Sequence, residues 1–175
     1  MVIVDGYLTE SKLAVALEQI VGKSWAGGQV TLPKSRRRWD MAFKRKGRLV
    51  LVEYDGDEHY RHSLKIKGDR EKNRLARENG MSLIRVPYWV QLDNITVRHY
   101  FGLEGEIEQD FPHGFITTKH FPASFCELGI ARFMQELQSL PTQVKTAVVQ
   151  SLRERVNEYG LEYVMPSPLR DLTTV

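Results

Sequence analysis

A single cysteine, Cys126, in 175 residues excludes an intrachain disulfide and a zinc cage built from several thiolates. Its neighbours make it a small hydrophobe near the start of a helix. No apolar run approaches the roughly 20 residues that a membrane-spanning helix needs, and no basic segment followed by an apolar core opens the chain. The expectation is a cytoplasmic protein with no membrane partner. Internal repeats and low-complexity stretches are also missing, which excludes solenoids and long flexible linkers. Charge of one sign is scarce overall, with 25 Lys and Arg against 22 Asp and Glu for a net +3. The length suits one domain with a sizeable core.

What the total conceals is the distribution. Lys34, Arg36, Arg37, Arg38, Lys44, Arg45, Lys46 and Arg48 crowd one segment, and Arg61, Lys65, Lys67, Arg70, Lys72, Arg74 and Arg77 follow it. Inside this basic half lie carboxylates. Residues 49–55, Leu-Val-Leu-Val-Glu-Tyr-Asp between Gly47 and Gly56, read as a strand. Its side chains alternate faces, so Glu53 and Asp55 share one face at the strand's end. A turn centred on residues 45–47 would set Asp40, on the preceding strand, opposite residues 51–53.

Three like charges this close repel unless a cation shares them, and hard oxygen donors suit Mg²⁺ or Mn²⁺. The competing reading is a solvated acidic turn, since Asp-Gly is a common turn dipeptide. The wholly apolar run 49–52 favours the metal site, because a strand buried on both faces feeds directly into the acids. Basic residues around bound metal suit a polyanion, hence DNA as the expected partner.

Elsewhere, Thr9 caps an expected helix reaching about Gly22, with Leu13, Leu17, Ile20 and Val21 as its apolar stripe and Glu10 on that buried side. A short strand is expected at 29–33, a helix at 69–79 capped by Asp69 and stopped by Gly80, and a buried strand at 82–86 carrying Arg85. Two amphipathic helices, 124–140 and 142–159, have stripes spaced to pack together: Leu128, Phe133, Met134 and Leu137, then Val144, Val148, Leu152 and Val156. Residues 166–175 read as a loose tail. The fold class is α/β, a small mixed β-sheet flanked by helices. A core of residues 1–110 carries a C-terminal helical extension, 111–175, packed on it within one compact domain. His62, His113 and His120 read as surface or structural.

Four blocks share an order and spacing: Asp40 on a strand; Val-Glu-Tyr-Asp-Gly-x-x-His-Tyr at 52–60; Asp-Arg-Glu-Lys-Asn at 69–73; and Gly-Met-Ser-Leu-Ile-Arg-Val-Pro-Tyr at 80–88. Together they resemble the PD-(D/E)XK nuclease superfamily, in particular its branch of very-short-patch repair (Vsr-like) and EDxHD endonucleases, which includes bacterial and phage-borne enzymes. The resemblance implies a restriction-endonuclease-like core and Mg²⁺- or Mn²⁺-dependent hydrolysis of DNA phosphodiester bonds. Asp40, Glu53 and Asp55 would be the metal ligands, Glu10 would complete the catalytic set, and Arg36, Arg37, Arg38, Lys44, Arg45 and Lys72 would meet DNA. The superfamily's usual lysine after the second acid is replaced by Asp55, so the resemblance passes its proton-handling role to His59. Restriction, homing and mismatch-nicking roles stay open, as do action on RNA or single strands and a non-catalytic nucleic-acid-binding module of the same fold. A palindromic site would call for a homodimer, although no interface is legible.

Overall fold

The structure, a computed structural model, describes residues 1–33, 35–116 and 120–173. Lys34 of the basic run and the last two residues of the expected tail lie outside them. A four-stranded sheet has the order β2-β3-β4-β5, formed by β2 (Trp25–Thr31), β3 (Arg38–Arg45), β4 (Arg48–Asp55) and β5 (Ser82–Pro87). The first three strands are antiparallel and β5 runs parallel to β4, so the sheet is mixed.

Local chemistry explains the central hairpin. Lys46 and Gly47 both have positive φ, 51° and 77°, between the paired Arg45 and Arg48. That is the two-residue turn whose twist matches flanking strands. It fixes Met41 opposite Val52, and one further step of that register brings Asp40 beside Glu53. Val50, Leu51 and Val52 are buried, as an interior strand covered on both faces requires.

One face of the sheet is closed by α1 (Glu10–Val21), whose Leu13 and Leu17 meet Met41, Phe43 and Val52. Thr9 accepts from the Lys12 amide as its cap, and Gly22, at φ 52°, ends it. The other face is closed by α3 (Ser63–Glu78), through Ala76 against Ala42 and Leu51. Helix α3 begins six residues before the sequence suggests. Asp69 is therefore an interior helical residue, 5% exposed, and its carboxylate is committed to side chains instead of to a helix terminus. Likewise β2 begins four residues earlier than expected, and Glu10 is exposed at a rim of the structure instead of facing the core.

The C-terminal part does not stand apart. Helices α5 (Glu127–Ser139) and α6 (Thr142–Tyr159) follow the short α2 (Glu58–Arg61) and α4 (Asn94–Phe101). Phe133, Leu137, Val144, Val148 and Leu152 enclose one core cluster with Tyr60 and Trp89 of the sheet region. Gly129 lies so close that a Cβ there would sit 1.8 Å from the Tyr60 carbonyl oxygen. Leu128 is left out of this core and lines a cleft beside α3. The expected loose tail instead includes a 3-10 turn at Ser167–Leu172 that buries Leu169. A parallel pair, β1 (Val2–Val4) with β6 (Ile107–Gln109), and the Asp93–Thr96 capping box of α4 have no counterpart in the sequence reading. Among the described residues no helix is long and apolar enough to cross a membrane.

Candidate active site

The apolar run of β4 carries two acids out to the strand's end on the face beneath α3, and they meet different partners. Glu53 is 2% exposed, and the Lys72 ammonium bonds both its oxygens at 2.8 Å. Asp40 accepts the Tyr54 amide at 2.8 Å. Glu10 reaches the same patch from the start of α1, accepting weakly from Gln29 at 3.3 Å. All three carboxyls are held above the usual carboxylate range. Burial is the first cause for each; Asp40 repels both Glu10 and Glu53, while Lys72 works in the opposite direction. One ammonium does not neutralise three acids.

Two residues on, Asp55 is fully buried, yet its carboxyl is pulled below the usual range. Burial alone would raise it, but Arg85, Arg132 and His59 overcome that cost. Arg85 donates to Oδ1 at 2.6 Å and Arg132 donates to Oδ2. Arg132 also bonds Asp69 at 3.0 Å and Glu136 at 2.8 Å, and lies 4.9 Å over the Tyr60 ring. Tyr60 donates to the other Glu136 oxygen at 2.5 Å. This lattice of buried charge welds α5 to the sheet and α3.

His59 belongs to the lattice. Its Nδ1 lies 2.6 Å from Asp69 and 3.1 Å from Asp55, so Nδ1 carries the proton and Nε2 offers a lone pair. The side chain is 11% exposed. An imidazole oriented by carboxylates through Nδ1 is an arrangement that general bases use.

The expected metal ligands therefore separate. Asp40 and Glu53 lie together with Glu10 at the mouth of the hairpin, whereas Asp55 is turned into the lattice with both oxygens taken. Among the described residues, the set of three whose ligand atoms all fall within 4.8 Å of one another is Asp55, His59 and Asp69. Two guanidiniums already compensate those carboxylates, so a cation there would have to displace Arg85 or Arg132. Glu10, Asp40 and Glu53 offer hard oxygen donors in one patch, but they are not a set whose ligand atoms all fall within 4.8 Å of one another, and Lys72 holds both Glu53 oxygens. A cation shared among them would require these side chains to close in and Lys72 to give way.

The basic residues divide too. Arg36, Arg37 and Arg38 are exposed where β3 begins, at the same end as Asp40, with Arg37 paired to Glu71 at 2.5 Å. Lys44 and Arg45 sit by the hairpin turn, at the opposite end of the ladder, about 23 Å away at 3.3 Å per residue. Arg45 donates to the Phe101 carbonyl. Lys72, expected on phosphate, is instead the partner of Glu53. His62 is exposed, His113 is buried between Asp93 and the Gln91 amide, and His120 lies 3.4 Å from Asp57.

Sequence reasoning missed Arg132, Glu136 and Tyr60. The one available signal was an Arg and a Glu four apart beside an apolar stripe, a pattern that ordinarily marks a solvated helix face. Cys126 takes the cap position of α5, half-buried. No protein-family model matches the chain, and neither curated proteins nor solved structures give a significant match.

Proposed function

We propose that this chain is a metal-dependent endonuclease of the PD-(D/E)XK kind, hydrolysing phosphodiester bonds in DNA with Mg²⁺ or Mn²⁺. The observation that carries the reading is the acid patch at the end of the hairpin: Asp40 on the Tyr54 amide, Glu53 on Lys72 and Glu10 from the start of α1, all held above the usual carboxylate range by burial first and, for Glu10 and Glu53, by Asp40. Glu10, Asp40 and Glu53 would hold the cation. When bound, it would supply charge neutralisation at the scissile phosphate and favour the ionised form of water.

The chain's own residues divide the remaining work. Lys72, anchored on Glu53, presents its remaining N–H bonds near that phosphate. His59 accepts a proton at Nε2 while Asp69 and Asp55 hold Nδ1–H and stabilise the resulting imidazolium. Arg36 and Arg38, exposed at the same end, hold flanking phosphates.

Incubating supercoiled plasmid with the protein and Mg²⁺ tests this. Nicking or linearisation that EDTA abolishes is expected. The bidentate Lys72–Glu53 pair favours one second reading, a nucleic-acid-binding module in which that ammonium permanently compensates the acids. Binding without cleavage of duplex DNA, single strands or RNA would select it.

A further inference from the structure

The free edge of the sheet carries a basic surface that the acid cluster does not use. Strand β5 pairs with β4 alone among the described residues, leaving its other edge unpaired. Three depressions run along that edge and share lining residues. The first, lined by Arg45, Lys46, Arg48, Val50 and Ser82, lies at the hairpin turn. The second joins it at Ser82 and continues past Arg77, Met81 and Asn73 to Arg85. The third, a cleft of about 390 Å³ between α3 and α5, begins at Asn73 and Arg85 and passes Arg70 and Arg132 beside Asp69 and Glu136, with which Arg85 and Arg132 are paired.

No carboxylate lines the first two depressions. The exposed Lys46, Arg48 and Arg77 have no ion pair among the described residues, and the nearby Glu78 is already paired to Arg74 at 2.7 Å. Surface cations are commonly interspersed with acids. The first two depressions, contiguous at Ser82, carry cations and unpaired strand-edge amides and no acid, which instead suits a linear polyanion.

We propose that the β5 edge and the adjoining hairpin turn form a track for a nucleic-acid backbone, holding the strand that flanks the cleavage position. The identity of the polyanion rests on the nuclease reading; the track itself rests on shape and charge. From the level of Arg48 to Arg85, which lies opposite Glu53 in the strand register, the edge is about 17 Å long at 3.3 Å per residue. That is about five nucleotides at 3.4 Å of rise each. It also gives Arg45, remote from the acids, a place in binding.

The test is binding of a random-sequence duplex longer than the track, in EDTA, followed by fluorescence anisotropy over a range of salt. Arg48→Gln combined with Arg77→Gln should lower the slope of log affinity against log salt by about two, since each lost phosphate contact removes about 0.9. The thermal midpoint should not move. Lys23→Gln with Lys145→Gln, the same loss of charge away from the edge, should leave the slope nearly as it was. Equal falls in both pairs, or no fall in the first, would overturn the track. So would a loss of binding to phosphatidylserine vesicles with DNA binding retained. A lowered slope in a protein that never cleaves with Mg²⁺ would uphold the track and defeat the nuclease reading; cleavage with an unchanged slope would do the reverse.

Discussion

Glu53 and Asp55 stand two residues apart on one strand, on one face and almost equally buried, yet their carboxyls shift in opposite directions. The difference lies in what surrounds them. Asp55 has two guanidiniums and an imidazole; Glu53 has one ammonium, shared with two further acids. A buried carboxylate with full compensation is part of the architecture, and one left short of positive charge is poised to take a cation or a proton. The acid cluster at the hairpin mouth and the closed lattice behind it thus make separate predictions.

The largest effect is expected in the lattice. Arg132→Met removes a guanidinium that serves Asp55, Asp69 and Glu136 together. Breaking a buried pair from one side costs about 3–5 kcal/mol, measurable by urea unfolding. A loss below about 1 kcal/mol, the range of an exposed pair, would show that the lattice is solvated and erase the contrast.

His59→Ala probes the junction of the two regions, since its imidazole is oriented by the lattice and its charge is felt by Asp40. Cleavage should fall by about 10² to 10⁴-fold, the usual worth of a positioned proton-transfer group. Full activity in the variant would pass the proton transfer to Lys72 or to water alone.

Gly129→Ala tests whether the C-terminal helices belong to the same cooperative unit. The added Cβ would fall 1.8 Å from a backbone oxygen of α2, so α5 must shift away. Overpacking of this kind costs about 1–3 kcal/mol. A separate early unfolding step, seen by fluorescence of the tryptophans against circular dichroism, would show that the helices unfold apart from the sheet.

The hairpin and its acids were legible because a local rule governs them. Alternation puts Glu53 and Asp55 on one face, and the Lys46–Gly47 turn sets Asp40 beside them. Thr142 and Tyr159 bound α6 as the sequence indicates, because its stripe is regular and Pro141 precedes it. The lattice was not legible, because Arg132 reaches Asp55 across 77 positions. Its helix shows the charge pattern of a wet surface. Asp69 misled for a related reason: the polar stretch before it hides a helical start, so a buried ion-pair partner passes for a cap.

The smallest effect should be opposite in sign to the others. Because the Asp40 carboxyl is raised in the folded state, first by burial and then by Asp55 among its neighbours, its ionised form opposes folding. Folding therefore takes up protons here, and stability rises as pH falls from neutral through the raised value. The lowered Asp55 behaves in reverse: its contribution is present above the ordinary aspartate range and is lost only as pH falls through the depressed value. Between neutrality and mild acid the open cluster should dominate, so the metal-free protein should melt higher at mildly acidic pH. Asp40→Asn removes that charge with little change of volume. It should raise the thermal midpoint at pH 7, flatten the gain on acidification, and weaken the stabilisation that Mg²⁺ gives the wild type through binding to the folded state. A lower midpoint at pH 7 would mean that the Tyr54 amide needs this carboxylate more than the cluster suffers from it, and the contrast between poised and compensated acids would fail.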